Sequence, residues 1–113
     1  MYTEFVVGDK VYKLRLTTLS LINIEKALGY NPVQLFIKMK MDEIPKLKDL
    51  LIILQGMLEP LQHGTTFEKT CEIFDKYTES GNTQFDLIPL FLQVFTDAGF
   101  LRDEEEEEEV KNA

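Results

Sequence analysis

Residues 45–58 read PKLKDLLIILQGML and form the most apolar run in the chain. Five consecutive apolar residues, 50–54, are compatible with a buried strand or a buried helix, because so short a run has no decisive period. The flanks favour a helix, since Asp42 is a suitable N-cap, Glu43 is acidic, and Pro45 is tolerated in a first turn. A helix that is apolar over most of its circumference is a central one. The sequence therefore predicts a helical domain built around residues 45–58.

The length and the cysteine content indicate a single domain in a reducing compartment. A chain of 113 residues can bury a workable core without disulfides or metals, and its one cysteine, Cys71, has no partner for an internal disulfide. The N-terminus lacks a basic region followed by an apolar core, so no signal peptide is expected. No apolar run is long enough to span a bilayer. We therefore expect a cytoplasmic protein that does not interact with membranes.

The net charge of −8 is concentrated at the C-terminus. Residues 103–113 hold seven acidic residues and one lysine, a charge of −6, which leaves −2 on residues 1–102. A block of like charges cannot bury apolar surface and is predicted to be disordered. Neither part has the basic stripe that phosphate binding requires, so we expect no contact with nucleic acid. The predicted organisation is a helical domain, 1–102, followed by an acidic disordered tail, 103–113.

Two short strands and four further helices are predicted around the central helix. Residues 4–7 and 11–16 read as a hairpin, since apolar and basic residues alternate in the second segment, and a lone hairpin must pack on the helical body. Capping and stop signals place the other helices at Thr17–Thr18 to about Leu28, ending at Gly29; at 32–39 after the cap Asn31; at 65–79 from a Thr65–Glu68 capping box; and at 84–98, with Pro89 either in a first turn capped by Asp86 or at a kink. The predicted fold class is mainly α, a compact bundle of about five helices with a short N-terminal β-hairpin.

Residues that could carry chemistry are few and scattered. His63 lies in a loop bounded by proline and glycine, and Cys71 shares a helical stripe with Phe67 and Phe74, which favours a core role over a nucleophile. No glycine-rich phosphate loop and no His or Cys pair with metal-ligand spacing is present, and a run of glutamates lacks a fixed coordination cage. We therefore predict no catalytic, cofactor-binding or metal-binding residues. An enzyme that uses Cys71 or His63 is the weakest alternative.

The last predicted helix is apolar over so much of its surface that two interpretations stay open. Phe91, Phe95, Phe100 and Leu101 either close the core against residues 45–58 or also leave an exposed patch that binds a partner. These four residues are the predicted partner-binding site.

Two segments resemble a known family. Residues 14–18 read LRLTT and residues 24–32 read IEKALGYNP. They are similar to the opening of the tail assembly chaperones of long-tailed, siphovirus-type bacteriophages and prophages, in which a short strand with a basic residue leads into a helix bearing Glu-Lys, then Leu-Gly and Asn-Pro. The resemblance covers roughly residues 11–102, since a central apolar helix and a closing helix follow in the same order.

The resemblance implies a protein that is absent from the mature virion, acts in the cytoplasm of the bacterial host, and has no catalytic residues. Such a chaperone coats the tape-measure protein during assembly and recruits tail-tube protein, with possible self-association along the filament. It also implies a ribosomal frameshift near the end of the gene that appends a further domain. Two rivals are a morphogenesis or connector protein that stays in the virion, and a small acidic adaptor that sequesters a basic partner through its tail.

Overall fold

The computed structural model describes residues 1–102, and the predicted acidic tail, 103–113, lies outside the described residues. Within residues 1–102 the predicted mainly α fold is confirmed, with five α-helices and an N-terminal two-stranded hairpin. The elements in chain order are β1 (Thr3–Val7), β2 (Lys10–Leu14), α1 (Thr18–Leu28), α2 (Val33–Lys40), α3 (Leu47–Leu58), α4 (Phe67–Glu79), a short 3-10 helix (Gln84–Asp86) and α5 (Leu87–Asp97).

The central position of α3 is confirmed. The helix packs against α1, α4 and β2, and most of its circumference is covered. Its buried side chains are Leu50, Leu51, Ile53, Leu54, Met57 and Leu58. Because each element that encloses α3 contributes apolar side chains to the same core, the long apolar run decides how the rest of the chain is arranged.

The start of α3 differs from the prediction. The helix begins at Leu47, two residues after Pro45, and Asp42 is not its N-cap. Asp42 instead has a left-handed φ of 62° in the turn that follows α2. A proline disfavours helical backbone at the residue before it, which here is Ile44, and Lys46 is also extended, so the helix starts only after both. Residues 43–46 therefore form a separate loop.

The hairpin lies on the helical body, as expected. β1 and β2 are antiparallel, Phe5 pairs with Tyr12, and the buried Phe5 ring lies 4.9 Å from the Tyr77 ring of α4. The second strand ends at Leu14, two residues earlier than predicted. The Arg15 N–H leaves the hairpin and donates to the Met57 carbonyl of α3 at 3.0 Å, so the sheet ends where the chain attaches to the central helix.

The helix caps were predicted with mixed success. Thr17 is the N-cap of α1 and Gly29 ends that helix with a φ of 83°, both as expected from the sequence. The structure adds that Thr17 and Ser20 form a capping box. The predicted N-cap of α4, Thr65, is wrong by one residue. Thr66 is the N-cap of α4 and accepts from the Lys69 N–H at 3.0 Å, while the Thr65 hydroxyl donates to a loop carbonyl.

The start of α2 differs from the prediction by one residue. Pro32 occupies the N-cap position without a side-chain cap bond, and the Asn31 side-chain oxygen accepts from the Val33 N–H at 3.0 Å. The helix itself begins at Val33, one residue after Pro32.

The predicted helix 84–98 is divided into a 3-10 turn and α5. The Asp86 carboxylate does not cap α5; it accepts from the Thr83 N–H at 2.8 Å and so closes the 3-10 turn. Pro89 lies in the first turn of α5, where its missing N–H has no helical partner. Of the two predicted positions for Pro89, the first turn of the helix is therefore the correct one. Gly99, with a φ of 86°, follows the end of the helix.

Helix α1 packs tightly against α3 at Gly56. A Cβ at this position would lie inside contact distance of two side-chain carbons of Ile24, which is itself buried. Gly56 therefore has a packing role, although glycine in a helix interior costs conformational entropy.

Gly56→Ala is expected to destabilise the protein by about 1–3 kcal/mol, the usual cost of overpacking a core. Without a clash the sign would be reversed, since alanine is favoured over glycine inside a helix by about 0.8–1 kcal/mol. Urea unfolding measures the change, and a double-mutant cycle with Ile24→Ala provides the control. If Gly56→Ala alone made the protein more stable than the wild type, with Ile24 still present, the close contact would be contradicted.

Candidate functional site

Two of the four predicted partner-binding residues belong to the core. Phe91 and Phe95 are fully buried, so neither side chain reaches a surface on which a partner could bind. The Phe95 ring packs edge-on against Phe36 of α2, with centroids 5.4 Å apart and planes at 81°. Of the two interpretations that the sequence leaves open, these two side chains fit the one in which they close the core. The apolar face of α5 that contains them is needed to hold α2.

The other two predicted residues lie at the end of α5 and are half-buried. Phe100 and Leu101 pack against the core, and their N–H groups donate to the Phe95 carbonyl at 2.9 and 3.3 Å. The apolar side chain that α5 does expose is Leu92. The sequence did not single it out, because the helix is apolar on almost every side.

Cys71 and His63 are placed apart from any reactive arrangement. Cys71 is a half-buried free thiol packed against the core, and His63 is exposed in the loop between α3 and α4. In the described part of the chain, no three His, Cys, Asp or Glu side chains are grouped closely enough to hold a metal ion. The geometry of residues 1–102 thus assigns neither residue a chemical role.

A cluster of exposed apolar side chains lies where α2 passes into α3, and we call residues 37–48 the α2–α3 corner. Its four large apolar residues are Ile37, Met41, Ile44 and Leu47, which are 54, 69, 75 and 42% exposed. Ile37 and Met41 are four residues apart and so share one side of the helix. This surface was not predicted from the sequence, because the N-cap expected at Asp42 would place Ile44 in the first turn of α3 and not in an exposed loop.

The turn at the corner is held by backbone hydrogen bonds. The Lys38 carbonyl accepts from the N–H groups of Met41 and Glu43 at 2.9 and 3.0 Å, and the Met39 carbonyl accepts from Asp42 at 3.1 Å. The exposed apolar side chains are therefore attached to an ordered turn, which limits the conformational entropy that a bound partner would have to remove.

Beneath the corner is a cleft of about 270 Å³. Its lining comprises Tyr30, Leu35, Lys38, Glu43, Ile44, Pro45, Lys46 and Asp49. The Tyr30 hydroxyl donates to the Asp49 carboxylate at 2.9 Å, and the Lys38 ammonium lies 5.7 Å from the centroid of the Tyr30 ring. These contacts join the α1–α2 loop to the end of α2 and to α3, so Tyr30 is held in the cleft by residues of both helices.

Tyr30 is electrostatically coupled to Asp49. Burial of the phenol, its hydrogen bond to Asp49 and the negative charge of that carboxylate together raise the pKa of Tyr30 to about 12. All three effects disfavour the phenolate, burial most strongly. The tyrosine therefore remains a hydrogen-bond donor throughout the physiological pH range.

The corner is also a basic part of an acidic protein. It holds Lys38, Lys40, Lys46 and Lys48, all exposed, together with Asp42 and Glu43, for a net charge of +2. The remainder of residues 1–102 carries −4. The corner thus combines exposed apolar side chains with a positive charge, which is the composition of a surface that binds an apolar partner with acidic flanks.

The comparisons with known proteins give a family but no function. A family model described as "Family of unknown function (DUF6096)" matches residues 3–112. Neither the curated proteins nor the solved structures contain a match to the chain. Of the helices in residues 1–102, none has the length and apolar character needed to cross a membrane.

Asp49→Asn is expected to lower the pKa of Tyr30 from about 12 towards its ordinary value of 10 without reaching it, because burial is unchanged. A phenolate absorbance titration measures this, and Tyr30→Phe identifies the component that belongs to Tyr30. Since the folded pKa is raised, the stability that the contact confers is present below about pH 10 and is lost as the pH rises through about 12. An unchanged titration in Asp49→Asn would contradict the coupling.

Proposed function

The chain belongs to DUF6096, a family of unknown function. We propose that it is a tail assembly chaperone of a long-tailed bacteriophage or prophage. The observation that carries the proposal is the α2–α3 corner, an ordered apolar surface that the core does not use. The resemblance of residues 14–18 and 24–32 to the opening of tail assembly chaperones supports this function. The protein would act as a binding scaffold in the host cytoplasm.

The proposed client is the tape-measure protein. A long helical protein that will fill the tail tube exposes apolar helical faces until tube subunits enclose it, and a helix can dock its apolar residues on a fixed apolar surface. Ile37, Met41 and Ile44 supply that surface here, and the neighbouring lysines favour client segments with acidic flanks. Recruitment of tail-tube protein would follow while the client remains covered, and the chaperone would leave before the virion is complete.

The exposed apolar side chains are large enough to make such a contact measurable. Complete burial of one side chain of this type contributes about 1.5–3 kcal/mol, and a factor of ten in affinity corresponds to about 1.4 kcal/mol. Loss of two of them should therefore weaken binding at least tenfold.

The double substitution Ile37→Glu and Met41→Glu is expected to weaken co-purification of the tape-measure protein of the same phage at least tenfold. The expected loss follows from removing two exposed apolar side chains and adding two negative charges to the corner. Co-expression of the two proteins, with a tag on the chaperone and titration of the purified complex, measures the effect.

Leu19→Glu is the matched control, because Leu19 is 67% exposed and lies at the start of α1, outside the corner. It should leave binding unchanged. Equal losses in the two variants, or binding that persists in the double variant, would exclude the corner as the client surface.

Removal of residues 103–113 separates the proposal from its rivals. An acidic adaptor that captures a basic partner through the tail would lose its partner, whereas a chaperone that uses the α2–α3 corner would retain its client. A connector protein that stays in the particle would be found in purified virions, where a chaperone would be absent.

Expression from the natural gene with its downstream DNA is expected to yield a minor longer product that diverges from this chain near residues 104–109. The reason is the frameshift that the resemblance implies, since the codons of a glutamate run are purine-rich whichever glutamate codon is used. Intact mass spectrometry of an N-terminally tagged protein detects the product. A single species of 113 residues would remove the frameshift and leave client binding to be tested alone.

A further inference from the structure

The helical body closes the edge of the hairpin that β2 forms. The Lys13 N–H donates to the Gln62 side-chain oxygen at 2.9 Å, and the Gln62 amide donates to the Lys13 carbonyl at 2.8 Å. Two residues later, the Arg15 N–H donates to the Met57 carbonyl of α3. The backbone groups of Lys13 therefore point away from β1 and already have partners, so no further strand can pair with β2 at this position.

The edge that β1 forms is open. Glu4 is opposite Lys13, and Val6 is opposite Val11. Because the Lys13 groups point outward, the alternation of an antiparallel ladder makes both of these pairs non-hydrogen-bonded, and the N–H and C=O groups of Glu4 and Val6 point away from β2. Within residues 1–102, the structure gives these four backbone groups no hydrogen-bond partner. Both side chains are exposed, so the edge is accessible to another strand.

The open edge carries one negative and one positive charge on its outer face. Tyr2 and Glu4 are two residues apart and so lie on the same face of the sheet. The Lys13 ammonium lies 4.8 Å from the centroid of the Tyr2 ring, so this lysine places its charge over the start of β1. The ion pair found between side chains of residues 1–102 joins Lys69 to Glu72, which leaves the Glu4 carboxylate without a cation in that range.

We propose that β1 pairs antiparallel with β1 of a second copy of this chain, which joins the two hairpins into one four-stranded sheet about a two-fold axis. A two-fold contact uses the same edge of both copies, so the outward N–H and C=O groups of each β1 find partners in the other. The inference rests on the hairpin alone and is independent of the proposed function.

Charge selects the register of this pairing. A register centred on Glu4 places two carboxylates directly opposite each other, which destabilises a sheet. A register centred on Phe5 places Glu4 opposite Val6, an apolar residue. The register centred on Thr3 places Glu4 opposite Tyr2 of the second copy, beside the lysine ammonium that covers that ring. Each copy then supplies the cation that the carboxylate of the other lacks, and this complementarity identifies a second copy as the occupant of the edge.

Sedimentation equilibrium of the full chain tests the association. The weight-average mass is expected to rise with concentration from 13.1 kDa towards twice that value, because β1 offers only five residues for pairing and the dimer should dissociate on dilution. Glu4→Pro removes an outward N–H and should weaken the dimer at least tenfold, while the bonds within the hairpin remain. Val11→Pro is the matched control, since it removes an outward N–H from β2, and it should leave the dimer unchanged. Circular dichroism checks that both variants fold.

Disulfide trapping tests the register and needs no proline. Tyr2→Cys and Glu4→Cys, each in a Cys71→Ser background, are mixed and oxidised. Residues directly opposite in a hydrogen-bonded pair lie about 5.5 Å apart at Cα, within reach of a disulfide. We expect the mixed disulfide to form at least tenfold faster than the disulfide between two Glu4→Cys chains.

A mixed disulfide that forms preferentially, together with a dimer that Glu4→Pro weakens, supports the proposal. A mass of 13.1 kDa at every concentration overturns it, as does preferential linkage of two Glu4→Cys chains. Association that survives Glu4→Pro but is lost in the Ile37→Glu and Met41→Glu double variant places the contact at the α2–α3 corner and also overturns it. Because the client surface proposed above lies outside the hairpin, failure here leaves the proposed chaperone function unaffected.

Discussion

Enclosure of the apolar run in α3 is the constraint on which the rest of the structure depends. A helix with six buried side chains cannot face water on any broad side, so α1, α4 and the hairpin must each cover part of it. The attachment is specific at two points. Gly56 lets α1 approach closely, and the Met57 carbonyl accepts the Arg15 N–H that ends the hairpin. These contacts fix the relative positions of elements that are distant in sequence.

That enclosure also explains why α2 leaves an apolar surface exposed. Helix α2 buries Leu35 and Phe36, the latter against Phe95 of α5, while Ile37 on its other side is exposed. The left-handed Asp42 and the restriction imposed by Pro45 then keep residues 43–46 out of either helix. Ile37, Met41 and Ile44 are exposed as a geometric consequence of this local backbone, and their apolar character is not required for the core.

Much of the fold was predictable because local chemistry and burial agree. Thr17 and Gly29 delimit α1, and the apolar run identifies the central helix, since each feature acts within a few residues. The candidate site was not predictable in the same way. Phe91 and Phe95 look identical in sequence to exposed apolar residues, and only the packing of α2 on α5 shows that they are buried. Predicting the corner requires knowing where α3 begins. Helix boundaries cannot be placed from sequence more closely than one or two residues.

The distribution of charge distinguishes the corner from exposed apolar residues elsewhere on the protein. An acidic chain repels acidic partners over most of its surface, but the lysines at residues 38–48 reverse that repulsion where the apolar side chains are exposed. For the partner proposed above, charge would guide the approach to the corner, and burial of Ile37 and Met41 would supply most of the affinity. A client with both acidic and apolar residues would therefore bind the corner more tightly than a merely acidic protein.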